Sequence, residues 1–396
     1  MENAVKEIKK LNFTSAPVIN EVSDWQGTVK EVKKIVEKKA DSSLVSAEPS
    51  EFFVDSNELP SGRFYTNIKS AHLECFFKQG ALDYLIVFFS GSRSRGGKNL
   101  APYPTFSSWS WYKDVNASVL CIDDPMYNTY PQIALGWFYG TDTDNFRQDT
   151  AVLIKKIASL LGVLDKKIIL YGRSGGGTAA VAVSDFIDGC CVCAINAQYD
   201  LENYKWYSKE FAQIARVDYS SDEFKKRNDF AGIIKSHPKS TYLLIENLFS
   251  DIDMEVQFHY LKKRFNFETH YGINSDSNMF LWLYAAWGVS AAHNSFDSVP
   301  LFKNILEIII ALSNGVSVQQ VNVVALAAND YWFEHYNHMK KRSHYEKEIA
   351  RLNKQLNEEA KQNSALKKEY AYLNKSLFTR IYNVVKKYFK KYLLKK

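Results

Sequence analysis

Several absences narrow the reading of this 396-residue chain. No run approaches the roughly 18 consecutive apolar residues that a membrane-spanning helix needs. Cysteine is scarce: Cys75, Cys121, Cys190, Cys191 and Cys193 are the five. That is an odd number, with neither metal-site spacing nor a CxxC redox pair. Three of them sit in an apolar run, so they read as small buried side chains in a reducing cytosol. The opening Met1-Glu2-Asn3-Ala4-Val5-Lys6-Glu7 lacks an apolar core after a basic start, so no signal peptide is expected. No solenoid-type repeat is present.

Acidic residues are missing from one place in particular. Lys375 to Lys396 holds eight cations and no acid. The whole chain carries 50 Lys+Arg against 44 Asp+Glu, a charge of +6. Removing those eight leaves 42 against 44, or −2. The body is therefore slightly acidic and the end basic. A nucleic-acid-binding body would need a basic face of its own, so no nucleic-acid partner is expected. A 46% apolar and 24% charged composition is that of an ordinary globular chain.

What is present is organised in blocks. Residues 1–49 are polar and Lys-rich, with helical periodicity near Val29 to Val36, and read as an N-terminal extension. Short strands are predicted at Arg63 to Lys69 and His72 to Phe77. Tyr84 to Phe89 is a continuous apolar run, the signature of a strand buried on both faces. Ser118 to Ile122, Lys167 to Tyr171, Cys190 to Ile195 and Thr241 to Ile245 repeat it. Helical patterns lie between, clearest at Asp149 to Leu161 and Thr178 to Phe186. Buried strands alternating with helices predict an α/β fold, a mostly parallel sheet with flanking helices over residues 50–315. Residues 200–239 are too long for an ordinary connection and read as a small helical insertion. Phe302 to Leu312 is an apolar helix suited to closing the sheet. Over residues 330–377, Ile349, Leu352, Leu356, Leu366, Tyr370, Leu373 and Leu377 fit one heptad frame, with Glu359 and Asn363 as its polar positions. That predicts a C-terminal coiled coil that pairs with itself or with a partner helix.

The chemistry-bearing motif follows the strand Ile168-Ile169-Leu170-Tyr171. Gly172-Arg173-Ser174-Gly175-Gly176 is a G-x-S-x-G match between an apolar strand and a helix. A serine on such a tight turn projects its hydroxyl above the sheet, and the flanking glycines avoid β-carbon clashes. Ser174 is the candidate nucleophile. The backbone N–H of Gly175, at the helix start, is a candidate oxyanion donor.

A nucleophilic serine needs a base, and in this architecture the chain order is Ser, acid, His. His293 is the favoured base, in the small-residue stretch Val289-Ser290-Ala291-Ala292-His293-Asn294-Ser295 ahead of the closing helix. His270 is the runner-up; His237 and His259 read as surface residues. The acid is expected after the strand at Thr241. Asp251 is the first choice, with Asp253 and Asp200 as alternatives; Asp253 could instead cap the following helix. The acid would set the histidine tautomer and stabilise the imidazolium. The loop Ser90-Gly91-Ser92-Arg93-Ser94-Arg95-Gly96-Gly97 follows the Tyr84 to Phe89 strand, and the N–H of Ser92 is the second candidate oxyanion donor. Arg93 and Arg95 are either anion-holding groups or solvated loop cations.

Together these features resemble the α/β-hydrolase fold over residues 50–315. Gly172 to Gly176 would be its nucleophile elbow and Ser90 to Gly97 its oxyanion loop. More narrowly, the chain looks like bacterial surface-polysaccharide O-acetyltransferases and accessory-secretion acetyltransferases, which likewise carry a Ser followed by a Gly-Gly pair. It lacks the HGGG loop of lipases, which disfavours a long-chain lipid substrate. The resemblance implies acyl transfer through a Ser174 acyl-enzyme, to a cell-surface glycan or to water. No bound cofactor or metal is implied; acetyl-CoA is a candidate acyl donor. The alternative is a catalytically idle hydrolase-fold scaffold in a membrane-associated glycan assembly.

In residues 378–396, Phe378, Ile381, Val385, Tyr388 and Tyr392 share one helical face, with Lys386, Lys387, Lys390 and Lys391 largely off it. An apolar stripe flanked by cations suits an interfacial helix on anionic lipid. The expected location is cytoplasmic, peripheral at the inner membrane face.

Overall fold

In a computed structural model, the described residues are 48–93, 95–96, 99–100, 103–108, 111, 115–285, 293, 299–339, 358, 361 and 364–368. Almost all of the N-terminal extension and the whole basic tail 378–396 lie outside them. So does most of the heptad region, of which residues 364–368 are helical and exposed. The chain divides into two compact units, Met1–Glu334 and His335–Lys396.

Among the described residues, twelve strands occur in the first unit: β1 Ser50–Glu51, β2 Gly62–Ile68, β3 Ala71–Lys78, β4 Leu82–Phe89, β5 Arg95–Gly96, β6 Asn99–Leu100, β7 Ala117–Ile122, β8 Ile168–Arg173, β9 Cys191–Ile195, β10 Thr241–Asn247, β11 Gly272–Asp276 and β12 Met279–Tyr284. Ten of them form one sheet in the order β1-β2-β3-β7-β4-β8-β9-β10-β12-β11, while β5 and β6 pair separately. The run from β7 to β12 is parallel. Antiparallel pairing joins β2, β3 and β7 at one end and β11 to β12 at the other. This is an α/β-hydrolase-like sheet.

The parallel strands read as continuous apolar runs because both their faces are covered. β4 shows it: its last six residues are buried. Leu85, Val87 and Phe89 enter the larger core with Leu153, Ile154 and Val181 from the helices Phe146–Leu161 and Gly175–Val183. Phe88, on the opposite face, meets Trp111, Tyr171 and Phe302. Phe302 belongs to the helix Val299–Ser313, which packs on β9 and β10. The helix Phe146–Leu161 starts where the Asn145 side chain accepts from the N–H groups of Arg147 and Gln148. It stops at Gly162, which is left-handed at φ 67°.

Residues 200–239 fold into three short helices, Ser208–Ala215, Asp222–Arg227 and Phe230–Ser236. Strands β11 and β12 were not anticipated as strands by the hydropathy pattern. Met279–Tyr284 is a six-residue apolar run that pairs in parallel with β10 and places its carboxyl end beside the site.

Candidate active site

The site lies at the carboxyl ends of the parallel strands, where loops are free to vary and helix N-termini converge. β8 ends at Arg173, and the helix Gly175–Val183 begins one residue after Ser174. Ser174 sits at φ 51°, ψ −127°, a backbone conformation that costs on the order of 1–3 kcal/mol in a non-glycine residue. Two glycines make the turn sterically accessible. A β-carbon on Gly172 would come within 2.1 Å of the Gly176 carbonyl carbon, and one on Gly176 within 2.3 Å of the Phe89 carbonyl oxygen. The Ser174 N–H donates to the Ile195 carbonyl at 2.8 Å, tying the turn to β9.

Ser174 Oγ lies 2.8 Å from His293 Nε2. His293 Nδ1 lies 2.8 Å from both carboxylate oxygens of Asp253. Because a carboxylate only accepts, Nδ1 carries the proton. Nε2 is then the acceptor for the Ser174 hydroxyl. Asp253 is fully buried, and His293 keeps 13% of its side-chain surface exposed. The carboxylate thus holds the ring without competition from water, while the ring edge stays accessible.

Asp251, the first choice from sequence, does not take this position. It lies exposed at the start of the helical segment, two residues before Asp253. Residues Asp253–Phe258 wind as a π-helix, an irregularity that recurs at functional sites. Positions two apart on a helix point roughly 200° from one another, so one carboxylate turns inward and the other to solvent. The Asp200 carboxylate instead accepts from Asn203. The other histidines are engaged elsewhere: His237 with Asp185, His259 with the Met254 carbonyl, His270 with the Tyr271 carbonyl.

A cavity of about 200 Å³ opens on the pair, lined among others by Ser92, Ser107, Ser108, Arg173, Ser174 and His293. Ser92 therefore shares a cavity with Ser174, and Gly175 opens the helix immediately behind it. Gly91, the residue before Ser92, packs against the elbow: a β-carbon there would be 3.1 Å from the Arg173 carbonyl oxygen. Its own carbonyl accepts from the Tyr127 hydroxyl at 2.7 Å.

Arg93 is neither a solvated cation nor a cavity group. It is buried, donates to the Pro131 carbonyl at 2.6 Å and stacks its guanidinium over Tyr127. Its part is to hold the loop. The Arg95 side chain lies outside the described residues. Among the described residues, the cation that lines the cavity is Arg173, which donates to Ser108 Oγ at 3.4 Å and lies over the Trp111 ring.

Three site residues escaped the sequence reading. Asn196, at φ 45° after β9, donates to the His293 carbonyl at 2.6 Å and to the Tyr284 hydroxyl at 3.0 Å, and accepts from the Asn247 N–H at 3.0 Å. It ties the ends of β9, β10 and β12 to the histidine. Gln198 Nε2 lies 3.1 Å from Ser174 Oγ. Glu246, fully buried at the end of β10, is pushed well above the usual carboxylate range by burial and then by the Asp253 charge. A signal existed for the first two. The polar Asn196-Ala197-Gln198 directly follows an apolar strand that ends level with the elbow. Among the described residues, no group of His, Cys, Asp or Glu is arranged to hold a metal ion.

The sheet order and the strand–turn–helix at Ser174 are α/β-hydrolase-like. No protein-family model matches it, and no curated protein sequence matches it. Among solved structures, the capsule O-acetyltransferase of Neisseria meningitidis serogroup A in complex with CoA aligns over 65% of this chain and 97% of that one, at 17% identity and a TM-score of 0.46. Est1E from Butyrivibrio proteoclasticus aligns over 64% of this chain and 100% of its own, at 10% identity and a TM-score of 0.40. The Glycosylation Associate Protein (Gap123) complex from Streptococcus agalactiae aligns over 55% of this chain, at 16% identity and a TM-score of 0.40. The alignment spans 40% of that chain's length.

Proposed function

We propose that this protein is a serine-nucleophile enzyme that transfers an acyl group through a Ser174 acyl-enzyme. The observation that carries the reading is the unbroken line Ser174 Oγ, His293, Asp253, with each contact at 2.8 Å. His293 Nε2 takes the hydroxyl proton as Ser174 Oγ attacks the acyl carbon. It then returns that proton to the leaving group. In the second half an acceptor hydroxyl attacks the same carbon, its proton passes to His293, and Ser174 Oγ departs and recovers a proton. The N–H groups of Ser92 and Gly175 receive the oxyanion in both halves.

A small cavity with serine and arginine in its lining suits a short acyl group such as acetyl better than a long lipid chain. The donor we infer is an acyl thioester or ester, acetyl-CoA among them. The acceptor is a glycan hydroxyl for O-acetyl transfer, or water for ester hydrolysis.

A fluorophosphonate probe tests the nucleophile. Wild type is expected to be labelled and Ser174→Ala is not. An unlabelled wild type, or equal labelling of both, leaves a catalytically idle scaffold as the reading. The basic stripe at 378–396 is proposed to bring the enzyme to an anionic membrane surface, with the heptads before it assembling the chain. Deleting Phe378 to Lys396 is expected to release the protein from phosphatidylserine-containing vesicles in sedimentation; unchanged binding rejects the anchor.

A further inference from the structure

Ser174 Oγ has a second nitrogen beside it. Gln198 Nε2 lies 3.1 Å away, and the same nitrogen lies 3.2 Å from the Asn196 carbonyl oxygen. The direction of this amide is set by chemistry. Its other end lies 3.0 Å from Trp137 Nε1. An indole N–H can only donate, so the atom facing it must be the amide oxygen. The NH2 end is then committed to Ser174 and Asn196, and Ser174 Oγ is the acceptor.

The surroundings hold the amide there. Gln198 and Trp137 are both fully buried. The backbone of Gln198 is clamped to the helix behind the elbow: its N–H donates to Thr178 Oγ1 at 2.8 Å, and that hydroxyl donates to the Gln198 carbonyl at 2.9 Å. Trp137 is presented by an unusual turn in which it and Phe138 sit at φ 53° and 54°. Two successive non-glycine residues at positive φ cost on the order of 1–3 kcal/mol each. The turn is pinned by Asp124 Oδ2, which accepts from the N–H groups of Gly136 and Phe138 at 3.2 Å each. Arg147 Nε adds a bond to the Trp137 carbonyl at 3.1 Å. Strain of this kind, held beneath the nucleophile, goes with position rather than with packing.

We propose that Gln198 is a catalytic residue whose Nε2–H stabilises the negative charge that Ser174 Oγ carries as it joins and leaves the acyl group. The inference rests on Ser174 being the nucleophile. The two half-reactions differ in what Gln198 gains. Before acylation, Oγ is a hydroxyl and already accepts this bond. In the acyl-enzyme, Oγ is an ester oxygen and a poor acceptor. When the acceptor attacks and the Oγ–C bond breaks, the electron pair of that bond collects on Oγ until His293 returns the proton. The donor therefore strengthens most in breakdown of the acyl-enzyme, and an interaction that grows toward the transition state is one that accelerates. Gln198 cannot accept the proton, so it competes with neither His293 nor the incoming hydroxyl.

The test uses the full chain with p-nitrophenyl acetate as probe, the burst reporting acylation and the steady state reporting breakdown. Gln198→Met keeps the volume and removes the donor. Its breakdown rate is expected to fall by about 10²-fold, and its burst rate by less, on the order of 10-fold. Ser174-acetylated protein then accumulates in intact-mass spectra. Trp137→Phe keeps Gln198 but frees its amide, and is expected to show the same ordering at smaller size; it also serves if Gln198→Met fails to fold by circular dichroism. A folded Gln198→Met that turns over like wild type overturns the role of Gln198 and leaves the nucleophile in place. A wild type that is never acetylated at Ser174 overturns both.

Discussion

Ser174 stands between two unlike neighbourhoods. On one side His293 follows β12 in the chain and Asp253 opens the π-helix after β10, and the imidazole keeps part of its surface open. On the other side Gln198 and Trp137 are wholly buried and their bonds run back into the helix Gly175–Val183 and the turn at Gly136–Phe138. The two sides suit different tasks. A base must release a proton to a bound substrate, so it has to reach the cavity. A group that only offers a fixed dipole works best where water and motion are excluded. The buried side is also where strained backbone collects, at Trp137, Phe138 and Asn196.

The comparison can be broken most sharply on the open side. Asp253→Asn keeps the shape but favours the wrong imidazole tautomer, and kcat is expected to fall by about 10⁴-fold. Asp251→Asn, an exposed change two residues away, is expected to stay within about twofold of wild type. Steady-state ester hydrolysis reads both; equal losses would put the acid back in doubt.

A middle-sized effect is expected at the joint between the two sides. Asn196→Ala removes the bond to the His293 carbonyl and the one accepted from the buried Asn247 N–H. A stability loss of about 1–3 kcal/mol by denaturant titration is expected. Displacement of the histidine should lower turnover by between about 10- and 10²-fold. A variant that loses stability at unchanged turnover would show that His293 keeps its place without Asn196.

The smallest effect on turnover is expected at Asp124, where the readout is stability. Burial pushes the Asp124 carboxyl up to about 7, even though the N–H groups of Met126, Phe138 and Gly136 pull it down. An acid raised in the folded state keeps a proton that the unfolded chain gives up near pH 4. Its contribution therefore makes stability fall as pH rises from about 4 to about 7, and it flattens above that. The melting-temperature difference between wild type and Asp124→Asn should change across that window; a constant difference would show that Asp124 is ionised throughout.

Much of this was legible because it is local. The strand β8, the turn Gly172–Gly176 and the helix behind it follow from backbone sterics within a dozen residues. β4, β7, β9 and β10 declared themselves as apolar runs that need cover on both faces. β11 and β12 were harder to read, because β11 is polar and the apolar run of β12 continues in sequence into Ala285-Ala286-Trp287 with no turn signal between. His293 could be singled out by the order of residues along the chain, but the order does not say which of two nearby acids meets it. Asp251 and Asp253 stand two residues apart in one helical segment and carry the same charge. The choice between them is made by the rotation of one helical turn against β10.

The sequence by itself determined the α/β sheet and the elbow that carries Ser174, since each depends on steric rules acting between neighbours in the chain. Only the tertiary structure decided which carboxylate faces His293, that Arg93 is buried while Arg173 lines the cavity, and that Gln198 reaches Ser174 from 24 positions away. Those outcomes depend on which side of a turn or strand end faces the cavity. That is fixed by the packing of distant segments and leaves no periodic trace in composition.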